Sequence, residues 1–109
     1  MPWLLREGEV LASLEVADGR RARARGLLGR DGVDGALLLR PARSVHTLGM
    51  RFPIDVAFCD DDLRVIRALT MPRHRVSLPV RRARVVIEAE AGAFARWRLQ
   101  PGDQLEVKG

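Results

Sequence analysis

The feature that most limits the fold is a series of short apolar runs, each of strand length and each cut off by turn residues. Val10, Ala12, Leu14 and Val16 alternate with Leu11, Ser13 and Glu15, the period-two pattern of a strand with one face inside. Ala36 to Leu39 is continuously apolar after Asp31 to Gly35 and before Pro41, as in a strand buried on both faces. Ile54 to Cys59 and Leu63 to Met71 form a further pair, joined by Asp60, Asp61 and Asp62, residues that disfavour strand and suit a tight connection. Val85, Ile87 and Ala89 alternate with Arg84, Glu88 and Glu90, and Leu105 with Val107 marks a last strand after the Pro101–Gly102 turn.

Strands so closely spaced leave little chain for parallel crossovers. The expected class is therefore all-β and mainly antiparallel, a compact β-sandwich, jelly-roll-like or barrel-like domain. Two brief helical pieces interrupt it. Asp18 is placed to cap a helix running to Leu28, with Ala24, Leu27 and Leu28 at i, i+3 and i+4 and Gly29 closing the end. Ala93 to Trp97 fits one helical turn that tucks Phe94 and Trp97 inward. Pro72 and Pro79 bracket a segment better suited to an exposed loop, because each proline removes a ladder donor.

The chain has 109 residues, 47% hydrophobic and 30% charged. That balance fits one folded domain over residues 1–109 and is too apolar for a disordered chain. Trp3-Leu4-Leu5 is too short for a signal-peptide core and no run approaches membrane-spanning length, so the expectation is a cytoplasmic protein with no membrane among its partners. Cys59 is the single cysteine, which excludes an internal disulfide, and one thiol with two histidines supplies no zinc spacing. Asp60 to Asp62 lack the spaced ligands and glycine of a calcium loop. No Gly-rich phosphate cradle and no Gly-x-Ser-x-Gly elbow occurs, so neither metal nor cofactor is expected.

The formal charge is +5, and Lys108 is the only lysine. The arginines read first as an ordinary solvated surface. They also cluster, at Arg20, Arg21, Arg23 and Arg25 and again at Arg73, Arg75, Arg81, Arg82 and Arg84, patches that could hold an anion. Aromatic content of 5% without tyrosine leaves few stacking platforms, which argues against single-stranded nucleic acid.

Several blocks carry a family resemblance. Arg25-Gly26-Leu27-Leu28-Gly29-Arg30, Gly35 to Leu39, and Val45-His46-Thr47-Leu48-Gly49-Met50-Arg51-Phe52-Pro53-Ile54-Asp55-Val56-Ala57-Phe58 occur in the order and spacing of the domain of unknown function 192 family. Val86-Ile87-Glu88 with Gly92, and the closing Gly102-Asp103, resemble its later blocks. The resemblance covers nearly the whole chain from Val10 and implies a small β-sandwich of jelly-roll-like character. Many relatives carry an aromatic-Met-Lys-Asn-Thr run where this chain has His46 to Met50, so only Pro53 and Asp55 carry over from that branch. Another branch reads His-Thr-Phe-Gly-Met, from which this chain differs chiefly by Leu48.

Asp55 stands out because it shares a strand face with the small residues Ala57 and Cys59, which leaves room for a loop, a helix or a ligand. It either accepts hydrogen bonds from nearby backbone N–H groups, or pairs with Arg23, Arg25 or Arg51, or serves a ligand directly. His46 is either structural or a general base or anion holder. His74, between arginines, reads as solvated charge. Three functions remain open. The first is a binding module for a small polar or anionic ligand, with His46, Arg51, Asp55 and Arg25 as candidate contacts. The second is a hydrolase or isomerase using His46 and Asp55 for proton transfer. The third is weak binding of a polyanion or nucleic acid through the arginine clusters. The ligand, the partner and the oligomeric state are not encoded in any motif.

Overall fold

A computed structural model describes residues 2–109. Seven strands and two short helices follow one another as β1 (Trp3–Arg6), β2 (Glu9–Ala17), α1 (Arg20–Arg25), β3 (Ala36–Leu39), β4 (Ile54–Cys59), β5 (Val65–Met71), β6 (Val85–Glu90), α2 (Ala93–Trp97) and β7 (Leu105–Lys108). They form one sheet in the order β5-β4-β6-β3-β2-β1-β7. The sheet curls back on itself. Its two end strands meet where Arg64 pairs with Gln104, beside hydrogen bonds from Leu105 N–H to the Leu63 carbonyl and from Val65 N–H to the Asp103 carbonyl. Of the architectures expected, the chain takes the barrel-like one.

The interior is filled from every strand, by Leu4, Leu14, Leu38, Ala57, Val65, Ile87 and Leu105, and α2 adds Phe94. A second apolar layer lies on the outside of β3, β4 and β6. There Leu37, Val56, Phe58 and Val86 are covered by Leu27, Val45 and Met50 from loops. β4 and β6 are thus buried on both faces, which explains their nearly continuous apolar sequence.

Three local expectations need correction. β2 and β3 pair in parallel, Leu14 opposite Ala36, because residues 18–35 supply the crossover that a parallel pair needs. α1 ends at Arg25 and no residue within it is buried. Gly19 is its N-cap, with no side-chain cap, and Gly26, at φ 47°, closes it, so Asp18 and Gly29 do not play those parts. Leu27 is buried in the turn after the helix, while Leu28 is exposed. The alternation in β2 also breaks. Val10 and Val16 are exposed, since β2 pairs β1 with its first half and β3 with its second, and its cover changes along its length.

The Asp60 turn holds as read: Asp60 Oδ1 accepts the N–H groups of Asp62 and Arg64, both at 2.9 Å. The turn over 93–97 also holds, with the Phe94 and Trp97 rings 5.6 Å apart. Among the described residues, no helix is long and apolar enough to cross a membrane.

Candidate functional site

Asp55 is 2% exposed and faces the end of the barrel that α2 plugs. Its Oδ1 accepts the Thr70 hydroxyl at 2.6 Å, and its Oδ2 accepts the N–H groups of Gly92 and Phe94, both at 3.0 Å. Gly92 is the N-cap of α2 and has no side chain to offer. The β4 carboxylate therefore does from across the fold what a capping side chain does locally, satisfying the orphan N–H groups of a helix start. Both oxygens are committed to protein donors, and of the two kinds of structural partner expected the backbone N–H groups are present, joined by a threonine, while the arginines are not. An open groove of about 540 Å³ lies alongside, between Thr70 and Leu69 of β5 and Phe94 and Leu99.

His46 is on the other side of the sheet. It sits in a loop bridged to Val76, and its neighbours Val45 and Met50 belong to the outer apolar layer. Asp55 belongs to the inner face of β4, whereas Ile54, Val56 and Phe58 face outward with that layer. The structure thus separates His46 from Asp55 by the thickness of the sheet, and the proton-transfer pair read from their proximity in sequence does not form. The eight intervening residues, 47–54, carry the chain past Pro53 from one layer to the other, which no local pattern reveals.

His46 instead lines a cavity of about 80 Å³ with Arg23, Arg25, Ser44, Met50 and Glu88. Glu88 is 4% exposed, on β6 opposite Leu37 and Val56, under the turn that closes α1. A Cβ placed on Gly26 would lie 3.9 Å from its Oε1, so backbone approaches the carboxylate closely. Among the described residues no side chain or N–H donates to it, and burial pushes its pKa up from 4.5 to about 7. Buried carboxylates are normally paired. Its oxygens keep their access to the cavity, because among the described residues no side-chain oxygen that is fully shut off from solvent lacks a partner.

The remaining candidates divide. Arg25 reaches the cavity wall; nearby, the hydrogen bond from Arg30 lowers the pKa of Glu15 against the opposing effect of burial, with smaller help from the charges of Arg30 and Arg25. Arg23 roofs the same region, donating to the carbonyls of Asp18 and Arg40. Arg51 is elsewhere, paired with Asp31 at 2.6 Å on the surface. His74 is more than solvated charge, since its Nδ1 accepts the Gly49 N–H at 3.3 Å. Cys59 is fully buried, and burial, with Asp60 beside it, raises its thiol to about 12, which makes it inert.

Glu88 is the residue of the site that strand alternation does not single out. Arg84, Glu88 and Glu90 read as a solvent face, yet Val85-Val86-Ile87 is unbroken apolar sequence of the kind a central strand shows. A lone acid in such a run was the available signal.

Comparison with known proteins agrees with the fold. The chain is 30% identical over 105 residues to a UPF0127 protein of Pyrococcus horikoshii, covering 92% of this chain and 88% of that one. A crystal structure of a protein of unknown function from Novosphingobium aromaticivorans superposes with a TM-score of 0.78 at 21% identity, over 96% of this chain and 82% of the other. A Sinorhizobium meliloti protein superposes with a TM-score of 0.79 at 22% identity, over 97% and 91%. Both structural likenesses carry the fold. The profile of the domain of unknown function 192 family, described as uncharacterized ACR, matches residues 4–107, and the chain belongs to that family.

Proposed function

We propose that the domain binds a small polar ligand in the cavity between β6, the α1 turn and the His46 loop. The observation that carries this reading is Glu88, a buried carboxyl with no protein donor, opening on a cavity that His46, Arg23 and Arg25 border. A carboxyl near half-protonation at neutral pH both donates to and accepts from a ligand hydroxyl, amine or carboxyl. The arginines favour an anionic part at the rim. The volume admits only a few water-sized groups, so the buried portion of the ligand is small. Asp55 and Arg51 lie outside this site.

A thermal-shift screen against small carboxylates, phosphates, sugars and hydroxy acids tests the reading, because a ligand that binds only the folded state raises its stability by about 2.7 kcal/mol at a hundredfold excess over Kd. The stabilisation should vanish in Glu88→Gln and weaken in His46→Ala. Equal stabilisation of wild type and both variants would place the ligand elsewhere.

The enzyme reading is kept in altered form by one observation: an acid pushed to about 7 shares the cavity with a histidine, and general acid–base groups work best near the operating pH. It predicts turnover of a ligand found in the screen, with a bell-shaped pH profile that Glu88→Gln abolishes.

A further inference from the structure

The loops 40–53 and 72–84 carry eight arginines and neither aspartate nor glutamate, while the rest of the chain, with eleven basic and fourteen acidic residues, is net acidic. Among the described residues only Arg51 of these eight has a carboxylate partner. The two loops are fastened together. Thr47 is fully buried between them: its hydroxyl donates to the Pro72 carbonyl at 2.6 Å and accepts the Arg75 N–H at 2.9 Å. Its own N–H donates to the Arg75 carbonyl at 2.7 Å, and Ser77 N–H to the Val45 carbonyl at 2.8 Å. Those two backbone bonds flank the His46–Val76 bridge, so segments 45–48 and 75–78 form a small ribbon.

Alternation then sorts the ribbon's side chains. Val45 and Thr47 point inward and are buried, while Leu48, Val76 and Leu78 are 48%, 66% and 84% exposed. An apolar ridge thus stands within an arginine field, and an exposed apolar patch rimmed by charge marks a contact surface. Nucleic acid would satisfy the arginines but leave the ridge in water, and segments 45–48 and 75–78 hold no Phe, Tyr or Trp ring on which a base could stack. A peptide docks most readily into a groove. Here the apolar residues protrude, and Leu48, Val76 and Leu78 line none of the cavities described above.

We propose that this double loop docks peripherally on an anionic lipid bilayer, with Leu48, Val76 and Leu78 entering the headgroup boundary and the surrounding arginines meeting lipid phosphates. Basic residues near such a surface are drawn by its negative potential, and apolar tips add burial that charge alone lacks. The three apolar tips lie outside the lining of the Glu88 cavity, to which the same loop supplies His46, and the inference does not rest on that cavity binding a ligand.

Co-sedimentation of the full chain with vesicles is the test, using phosphatidylcholine alone and phosphatidylcholine with phosphatidylglycerol at about 3:1. The protein should sediment with the anionic vesicles and not with the neutral ones. Val76→Ser/Leu78→Ser, which leaves the net charge unchanged, should weaken partition about tenfold, as should Arg81→Ala/Arg82→Ala; circular dichroism should show both variants folded. Absence of binding to anionic vesicles overturns the proposal. Unchanged partition of the serine variant overturns it too, by showing that charge alone acts. Tighter binding to duplex DNA or to polyglutamate than to the anionic vesicles would assign the surface to a nucleic acid or an acidic polypeptide instead.

Discussion

Two buried acids on the same sheet have opposite characters because of what surrounds them. Asp55 receives three donors, one hydroxyl and two backbone N–H groups, and is a structural strut between β4, β5 and α2. Asp55→Asn keeps the shape but puts an NH₂ where a carboxylate oxygen accepted. It should cost about 1–3 kcal/mol in chemical denaturation, the usual penalty for weakening a buried charged hydrogen bond. Ligand binding in the Glu88 cavity should be unaffected. Glu88 has a raised pKa in the fold, so the native state holds its proton more tightly than the unfolded chain. The stability this contributes is complete below about pH 4.5 and is lost as pH rises through about 7. Wild type should therefore lose stability across that window, by an amount on the order of 3 kcal/mol at most. Glu88→Gln should flatten the slope and be the more stable protein at pH 8, as measured by urea unfolding at a series of pH values. A residue that weakens its own fold at neutral pH is a natural candidate for function.

At the scale of elements, α1 illustrates a helix that owes little to its own sequence. None of its residues is buried, and it lacks both a side-chain cap and an acid in its first turn. Its place is set by Leu27, which follows it into the outer apolar layer. Leu27→Ala should cost roughly 2–5 kcal/mol, the range for truncating a buried leucine. Ala24→Gly, in the exposed helix, should cost about 1 kcal/mol or less. Equal losses in thermal denaturation would mean that α1 carries more of the packing than its exposure indicates. The crossover after α1 has a tight point at Gly35. Its φ is +74°, and a Cβ there would lie 2.5 Å from the Ser13 carbonyl oxygen. Gly35→Ala should disturb the start of the parallel β2–β3 pair, destabilising it by about 1–3 kcal/mol from backbone strain, with more from the clash.

For the whole molecule, closure depends on the C-terminal strand. β7 pairs β1 along its length, and residues 102–105 join the start of β5. Arg6 also pairs with Asp103 at 2.9 Å, tying the first strand to the turn before the last. A chain ending at Asp103 would expose the edge of β1, open the barrel and uncover the interior around Leu4 and Leu63. It should show no cooperative unfolding transition by calorimetry. A truncated chain that still melts sharply would mean that the remaining strands form a stable open sheet.

How much of this was legible in the sequence follows from the range of the forces involved. β3, β4 and α2 were readable within a residue, since period, turn chemistry and helical spacing act over a few neighbours. The all-β class and the family followed from the same local blocks in order. The candidate site was legible only in part. Arg25 and His46 do border one cavity, but Arg51 and Asp55, which follow His46 within one short stretch of sequence, do not. A strand's two faces go to different layers, and which layer holds a ligand depends on what the rest of the chain lays over each. Glu88 reads as solvated until β3 and β4 pair on either side of β6 and the α1 turn covers it. Sequence thus determined which segments become strands. Tertiary structure alone decided that an acid from one strand, a histidine from a loop and arginines from a short helix share a cavity, because burial is a property of the assembled layers and of no single segment.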